Sequence, residues 1–243
     1  KFSYPFADVI LAPDCTKFTK SKKKVVGYSG YHELTYLHPS RFQPDESVIN
    51  QYGISANEKF FVLRFVALKG HHDAGHKGIS LEQKRKLIDV LLKKGKVFIT
   101  SEKPIELEFE QYRIPVSPEK IHHFLYYATI FLGDSQTMTS EASVLGTPAL
   151  KCNTFAGRLS VPNELEYKYN LCYSFQPDKF EKFMDKLNEF LALPDIKSVW
   201  GNRREVLFQD KIDVTSFLVW FIENYPKSAK IMKENPDYQN NFK

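Results

Sequence analysis

The sequence predicts an α/β fold: a parallel sheet flanked by helices, with an N-terminal inter-domain segment before it and additional C-terminal helices after it. Three observations predict this. From Lys59 onward, short apolar runs alternate with segments of helical period, as strands joined by crossover helices do. Those runs are almost continuously apolar, which suits strands covered on both faces. Residues Thr129 to Cys152 read in succession as strand, small polar turn, helix and strand.

Residues 1–45 differ in kind from the rest. They hold one strand-like run from Tyr4 to Leu11, a Lys-rich stretch, and Gly27 to Leu34 leading to Pro39 and Pro44. We read them as the remnant of an N-terminal domain and a hinge, 46–225 as a Rossmann-like domain, and 226–243 as an aperiodic tail. The first strand of the domain is Phe60 to Ala67. Ser80 and Gln83 are spaced as a capping box, ahead of an apolar stripe of Leu87, Ile88, Leu91 and Leu92 that Gly95 stops. Lys96 to Thr100 is the second strand. Ser117 and Pro118 start a helix whose buried face is Ile121, Phe124 and Leu125. Thr129 to Leu132 is then a strand, Met138 to Leu145 a helix closed by Gly146, and Ala149 to Cys152 a strand introduced by Pro148. Leu171 to Phe175 is the last strand. Phe180, Phe183, Met184, Leu187, Phe190 and Leu191 recur at helical spacing as core residues. Two further helices are expected at Val199 to Phe208 and at Val214 to Glu223, the second capped by Asp213.

The chain of 243 residues is long enough for one substantial core, and 42% hydrophobic with 26% charged residues excludes a disordered chain. The longest apolar candidate, Phe217 to Ile222, is far short of the ~18 to 20 residues of a membrane span. Three widely spaced cysteines, Cys15, Cys152 and Cys172, form no metal-ligand rhythm and fit a reducing, cytoplasmic compartment. Part of the net charge of +5 sits in Lys17, Lys20, Lys22, Lys23 and Lys24. That run is either a solvated loop or a contact for an anionic membrane surface. No aromatic-interleaved basic stripe points to nucleic acid, and no nucleic-acid partner is expected. The start at Lys1, with no leader before a strand-like run, reads as part of a longer protein whose N-terminal domain would be this chain's partner.

The chemistry concentrates at Gly133-Asp134-Ser135-Gln136-Thr137. Ligands of doubly wound sheets sit beyond the strand carboxyl ends, where helix N-termini offer N–H groups to phosphates. Small and hydroxyl side chains let a diphosphate approach, and Glu141, about one turn on, can accept from ribose hydroxyls. The alternative from spacing alone is a plain N-cap at Ser135 or Thr137 with Glu141 on a solvated face.

This turn, with Met138-Thr139-Ser140-Glu141-Ala142 and Leu145-Gly146-Thr147-Pro148-Ala149 after it, resembles the phosphate-and-ribose loop of UDP-N-acetylglucosamine 2-epimerases and related GT-B glycosyltransferases. There an Asp-Ser-Gly-Gly turn precedes a Glu-Ala helix and a Leu-Gly-x-Pro strand. The resemblance implies a GT-B C-terminal domain, with Gly133, Ser135, Gln136 and Thr137 at the diphosphate and Glu141 at the ribose. Gln136 and Thr137 stand where the family has glycines. Tyr112 to Ser117 matches the base-contacting segment, so Ile114 and Val116 would border the base. The chain is also similar, over most of its length, to an uncharacterised bacterial and archaeal family of the same superfamily. The shared motifs are Phe6 to Leu11, Gly30 to Leu34, Leu63 to Val66 and Lys211 to Thr215, and its members carry a further N-terminal domain.

Other polar groups keep two readings each. His71, His72 and Asp73, with His76, follow the first strand and either contact substrate or form an idle surface loop; an irregular loop fixes no ligand geometry, so no metal is expected. Arg64 in an apolar strand is read as half of an internal ion pair. His32 and Glu33 meet a sugar at the hinge or form a structural turn. Arg158 contacts phosphate or is ordinary surface charge. The functional expectation is a donor-binding half that holds a nucleotide-activated sugar, a UDP-sugar, for an unknown acceptor, with no cofactor. A nucleotide-sugar 2-epimerase and a non-catalytic nucleotide- or partner-binding module are the alternatives.

Overall fold

The structure, a computed structural model, describes residues 4–18, 22–65, 78–101 and 104–243. It divides into two compact units, Lys1–Gln43 with Glu205–Lys243, and Pro44–Arg204. In the first unit β1 (Ile10–Pro13) pairs in parallel with β2 (Val25–Tyr28), Ile10 opposite Val25. The short helix α1 (Leu34–Leu37) follows and buries Leu34 and Leu37. Gly30 is needed before it, because a Cβ there would lie 2.3 Å from Val214 Cγ2.

The second unit runs α2 (Ser47–Asn50), β3 (Phe60–Arg64), α3 (Leu81–Leu92), β4 (Lys96–Thr100), α4 (Ile121–Tyr127), β5 (Ile130–Gly133), α5 (Gln136–Leu145), β6 (Ala149–Cys152), α6 (Ser160–Tyr167), β7 (Cys172–Phe175) and α7 (Phe180–Ala192). Helix α8 (Ile196–Asp210) follows, and the two units divide within it. The five strands form one parallel sheet in the order β4-β3-β5-β6-β7. Phe61 stands opposite both Val97 and Ile130, so β3 is the sheet's turning point: the chain steps outward to β4, then crosses back to β5. Phe60 to Leu63 are fully buried, as the unbroken apolar run required. The α/β class and the Rossmann-like sheet flanked by helices are thus observed.

Local signals explain most boundaries. Ser80 Oγ accepts from Gln83 N–H while Gln83 Oε1 accepts from Ser80 N–H, a complete capping box for α3. Gly146 closes α5 at φ +78, a left-handed cap. Gly95 has another role: it does not adopt positive φ, and a Cβ there would lie 2.2 Å from Lys59 O. It lets two backbones meet rather than turning the chain. Helix α7 buries Phe180, Phe183, Met184, Leu187 and Phe190 on one stripe, while Leu191 is only half-buried.

Helix α6 lay hidden because Pro162 falls in its sequence; the proline occupies the first turn, where a missing N–H costs nothing. Two cations of α8 serve the ends of α4 and α5. Lys197 Nζ donates to Tyr126 O at 2.5 Å and to Ala128 O at 3.1 Å, and Arg204 Nε donates to Val144 O at 3.0 Å. Burial, then the charge of Arg204, pushes the Lys197 ammonium down to about 8.

The first unit resumes with α9 (Val214–Glu223), where Asp213 Oδ1 accepts from Ser216 N–H at 3.1 Å as the expected N-cap. Residues 226–243, expected as an aperiodic tail, contain α10 (Lys227–Glu234), which buries Ser228, Ala229 and Met232. Two of those three are too small to register as an apolar stripe. Among the described residues no helix is long and apolar enough to cross a membrane.

Candidate functional site

The strand order decides where a ligand can sit. In open parallel sheets the crevice lies beyond the strand carboxyl ends where the order reverses, here between β3 and β5. Gly133, the last residue of β5, is buried, and a Cβ there would sit 2.1 Å from Arg64 O. The adjacent Asp134 N–H donates to the same carbonyl at 3.2 Å. Only glycine lets the strands approach this closely before the chain turns into α5. Ser135 is the N-cap of α5, its Oγ accepting from Met138 N–H at 3.4 Å, and Thr139 Oγ1 donates to Ser135 O at 2.6 Å.

The N-terminus of α5 borders a cleft of about 830 Å³. Of the residues expected from the sequence, Ser135, Thr137, Glu141, Ile114 and Val116 line it together. Ile114 is placed by a sheet-edge contact: its N–H donates to Ile99 O at 3.0 Å, and Arg113 forms a parallel bridge with Ile99. The segment 114–116 is thereby laid along β4, opposite the α5 side of the cleft. First-turn N–H groups of a helix have no intrahelical acceptor and carry the positive end of its dipole, so this end suits an anion.

Gln136 points elsewhere. Its Oε1 accepts from Lys151 Nζ at 2.5 Å and its Nε2 donates to Asn153 Oδ1 at 3.4 Å. Asn153 Nδ2 in turn donates to Asp134 O at 2.7 Å. These side chains form a framework behind the turn. Lys151 is 1% exposed, and burial pushes its ammonium down while Cys172 and Glu166 pull it back up. Arg158 is exposed on the loop after β6 and does not line the cleft. His32, exposed, and Glu33, half-buried, precede α1 in the first unit; the His32 ring lies 5.9 Å from that of Tyr36. His71, His72 and Asp73 lie outside the described residues. Gly78, just after them, packs against the turn: a Cβ there would fall 2.2 Å from Asp134 Oδ2.

Arg64, read from the sequence as half of an internal ion pair, lines the cleft from the end of β3. The cleft also contains groups that reading the sequence passed over: Thr100 comes from the end of β4, and Glu110 and Arg113, 3.4 Å apart, from the loop before Ile114. Most pointed is His122 on α4, whose Nε2 lies 3.0 Å from Glu141 Oε1, the two side chains being 21% and 10% exposed. The sequence held no local signal for this pair, whose members lie on two helices, α4 and α5. Chemically the cleft combines a helix N-terminus, a buried carboxylate acceptor and an apolar wall.

No family model and no curated protein matches the sequence. Solved structures do match it. They include WaaG, a glycosyltransferase involved in lipopolysaccharide biosynthesis, at 14% identity and TM-score 0.54 over 83% of this chain and 56% of that one. A UDP-N-acetylglucosamine 2-epimerase aligns at 16% identity and TM-score 0.52, over 93% of this chain and 60% of its own. Anabaena HepE, in complex with UDP and glucose, aligns at 13% identity and TM-score 0.54, over 91% and 64%. The chain therefore shares the fold of the aligned parts of these proteins. It spans 56% to 64% of the lengths of these three proteins.

Proposed function

We propose that this chain is the donor-binding side of a GT-B-type glycosyltransferase and holds a nucleotide-activated sugar, a UDP-sugar. The observation that carries the reading is the convergence of the α5 N-terminus, Glu141 and the Ile114–Val116 wall on one cleft at the switch point of the sheet. The diphosphate lies against Ser135, Thr137 and the first N–H groups of α5; the ribose reaches Glu141; the uracil rests along Ile114 and Val116. Charge developing on the leaving diphosphate is met by an oriented helix end and the cations of Arg64 and Arg113, which is electrostatic stabilisation without a covalent intermediate. The UDP held by HepE supports the choice of nucleotide. Titration calorimetry with UDP tests the reading. Wild type is expected to bind, and Glu141→Ala to bind ten- to a hundred-fold more weakly, the loss of about 1–3 kcal/mol that one or two hydrogen bonds to a carboxylate represent. Equal affinity for both proteins defeats it.

A further inference from the structure

We infer that His122 is a positioning residue for the Glu141 carboxylate and thereby sets a preference for ribonucleotides over 2′-deoxyribonucleotides. The inference rests on the reading of Glu141 as the ribose acceptor. A carboxylate is acceptor-only, and on a side chain with a rotatable end its direction is fixed only by what donates to it. Glu141 is buried on α5, so an undirected charge there would be costly as well as imprecise. His122 Nε2 meets Oε1 at 3.0 Å, and that contact fixes the direction of the carboxylate within the cleft lining. Both residues line the cleft, and Val116 and Pro118, also in its lining, lead the chain into the helix that carries His122. The ring therefore stands where a base wall and a ribose acid meet.

The neighbouring histidine shows that this orientation is specific. His123 Nδ1 accepts from Asp45 N–H at 3.1 Å, outside the cleft lining, so two consecutive histidines on α4 serve different partners. Of these two rings, that of His122 meets the acid.

The test measures UDP and 2′-deoxy-UDP affinity by calorimetry for wild type, His122→Gln, His122→Ala, His122→Leu and His123→Gln. Wild type should favour UDP by about ten-fold, the worth of one hydrogen bond to a charged group. Alanine and leucine, which remove the donor, should bring the ratio close to one. Leucine keeps the bulk of the ring, so a packing defect in the alanine variant does not decide the outcome. Glutamine, which places an N–H near the position of Nε2, should retain most of the preference, and His123→Gln all of it. An unchanged ratio in His122→Leu overturns the inference, as does a wild type that binds both nucleotides equally. A wild type that binds neither removes the donor-site reading itself, a different failure from the other two.

Discussion

Replacing Gln136 by leucine tests whether this residue serves the ligand or the framework behind the turn. Its Oε1 accepts from Lys151 Nζ at 2.5 Å, and Lys151 is 1% exposed. Leucine keeps the bulk but removes the acceptor, and the buried ammonium loses a charge-assisted hydrogen bond. Such bonds contribute about 1.5–3 kcal/mol, and a stranded buried charge can cost ~3–5 kcal/mol. Because Glu166 still attracts Lys151, we expect the lower part of that range, about 2–3 kcal/mol. For a domain of this size that lowers Tm by roughly 5–10 °C. Adding Lys151→Met removes the stranded charge, so the double variant should recover at least half of the loss, a coupling of about 1–2 kcal/mol. Urea unfolding of the four proteins reads the coupling, and calorimetry with UDP reads the site. The double variant should hold UDP within about three-fold of wild type, since neither side chain lines the cleft. A Gln136→Leu protein with unchanged stability and a UDP affinity down ten-fold or more would refute this reasoning.

The remaining expectations are more local. Burial opposes ionisation of Asp213, but the Ser216 N–H, Arg41 and the Ser216 hydroxyl outweigh it and bring its carboxyl down to about 2. Because the folded value lies below the unfolded one, the resulting stabilisation of about 2 kcal/mol is complete above roughly pH 4 and lost as pH falls towards 2. Asp213→Ala should therefore cost that much or more in urea unfolding at pH 7, and much less near pH 2; a pH-independent difference would contradict the assignment. Gly146→Ala should lose about 1–2 kcal/mol, since alanine resists φ +78 and its Cβ would meet Arg204 Cδ at 2.8 Å. A thermal melt equal to wild type would show that the cap is not needed. On the proposed donor-side reading, this chain should bind UDP yet leave UDP-sugars intact, because alignment with an acceptor can be worth ~7–11 kcal/mol of barrier. Sustained UDP release by the chain on its own, followed chromatographically, would overturn that expectation.

What was legible in the sequence was whatever depends on neighbours along the chain. The Ser80–Gln83 box, the Asp213 cap and the Gly146 stop are each set within a few residues, and each forms as read; of the two caps left open, Ser135 and Thr137, it is Ser135 that forms, with Glu141 buried. The unbroken apolar run of Phe60 to Leu63 likewise fixed β3 as a strand covered on both faces. Where a side chain must choose between directions, the sequence was silent. Gln136 sits on the expected turn, but a partner fifteen positions on, Lys151, turns its amide away from the cleft. His122 drew no reading, because its partner, Glu141, lies on another helix. Gly95 was taken for a conformational stop when its missing Cβ answers to a distant backbone, Lys59 O.

The cationic anchors at the ends of α4 and α5 tie the His122–Glu141 pair to a third helix. His122 rides on α4 and Glu141 on α5, while Lys197 and Arg204, one on each tie, both belong to α8. The 3.0 Å separation between ring and acid is therefore gauged against a third element, which anchors the ends of both helices. In amide hydrogen exchange, local opening of α8 would strip protection from the last turns of α4 and α5 together, as one cooperative unit. Whatever strains or steadies α8 would register as a change in how firmly His122 and Glu141 are held together.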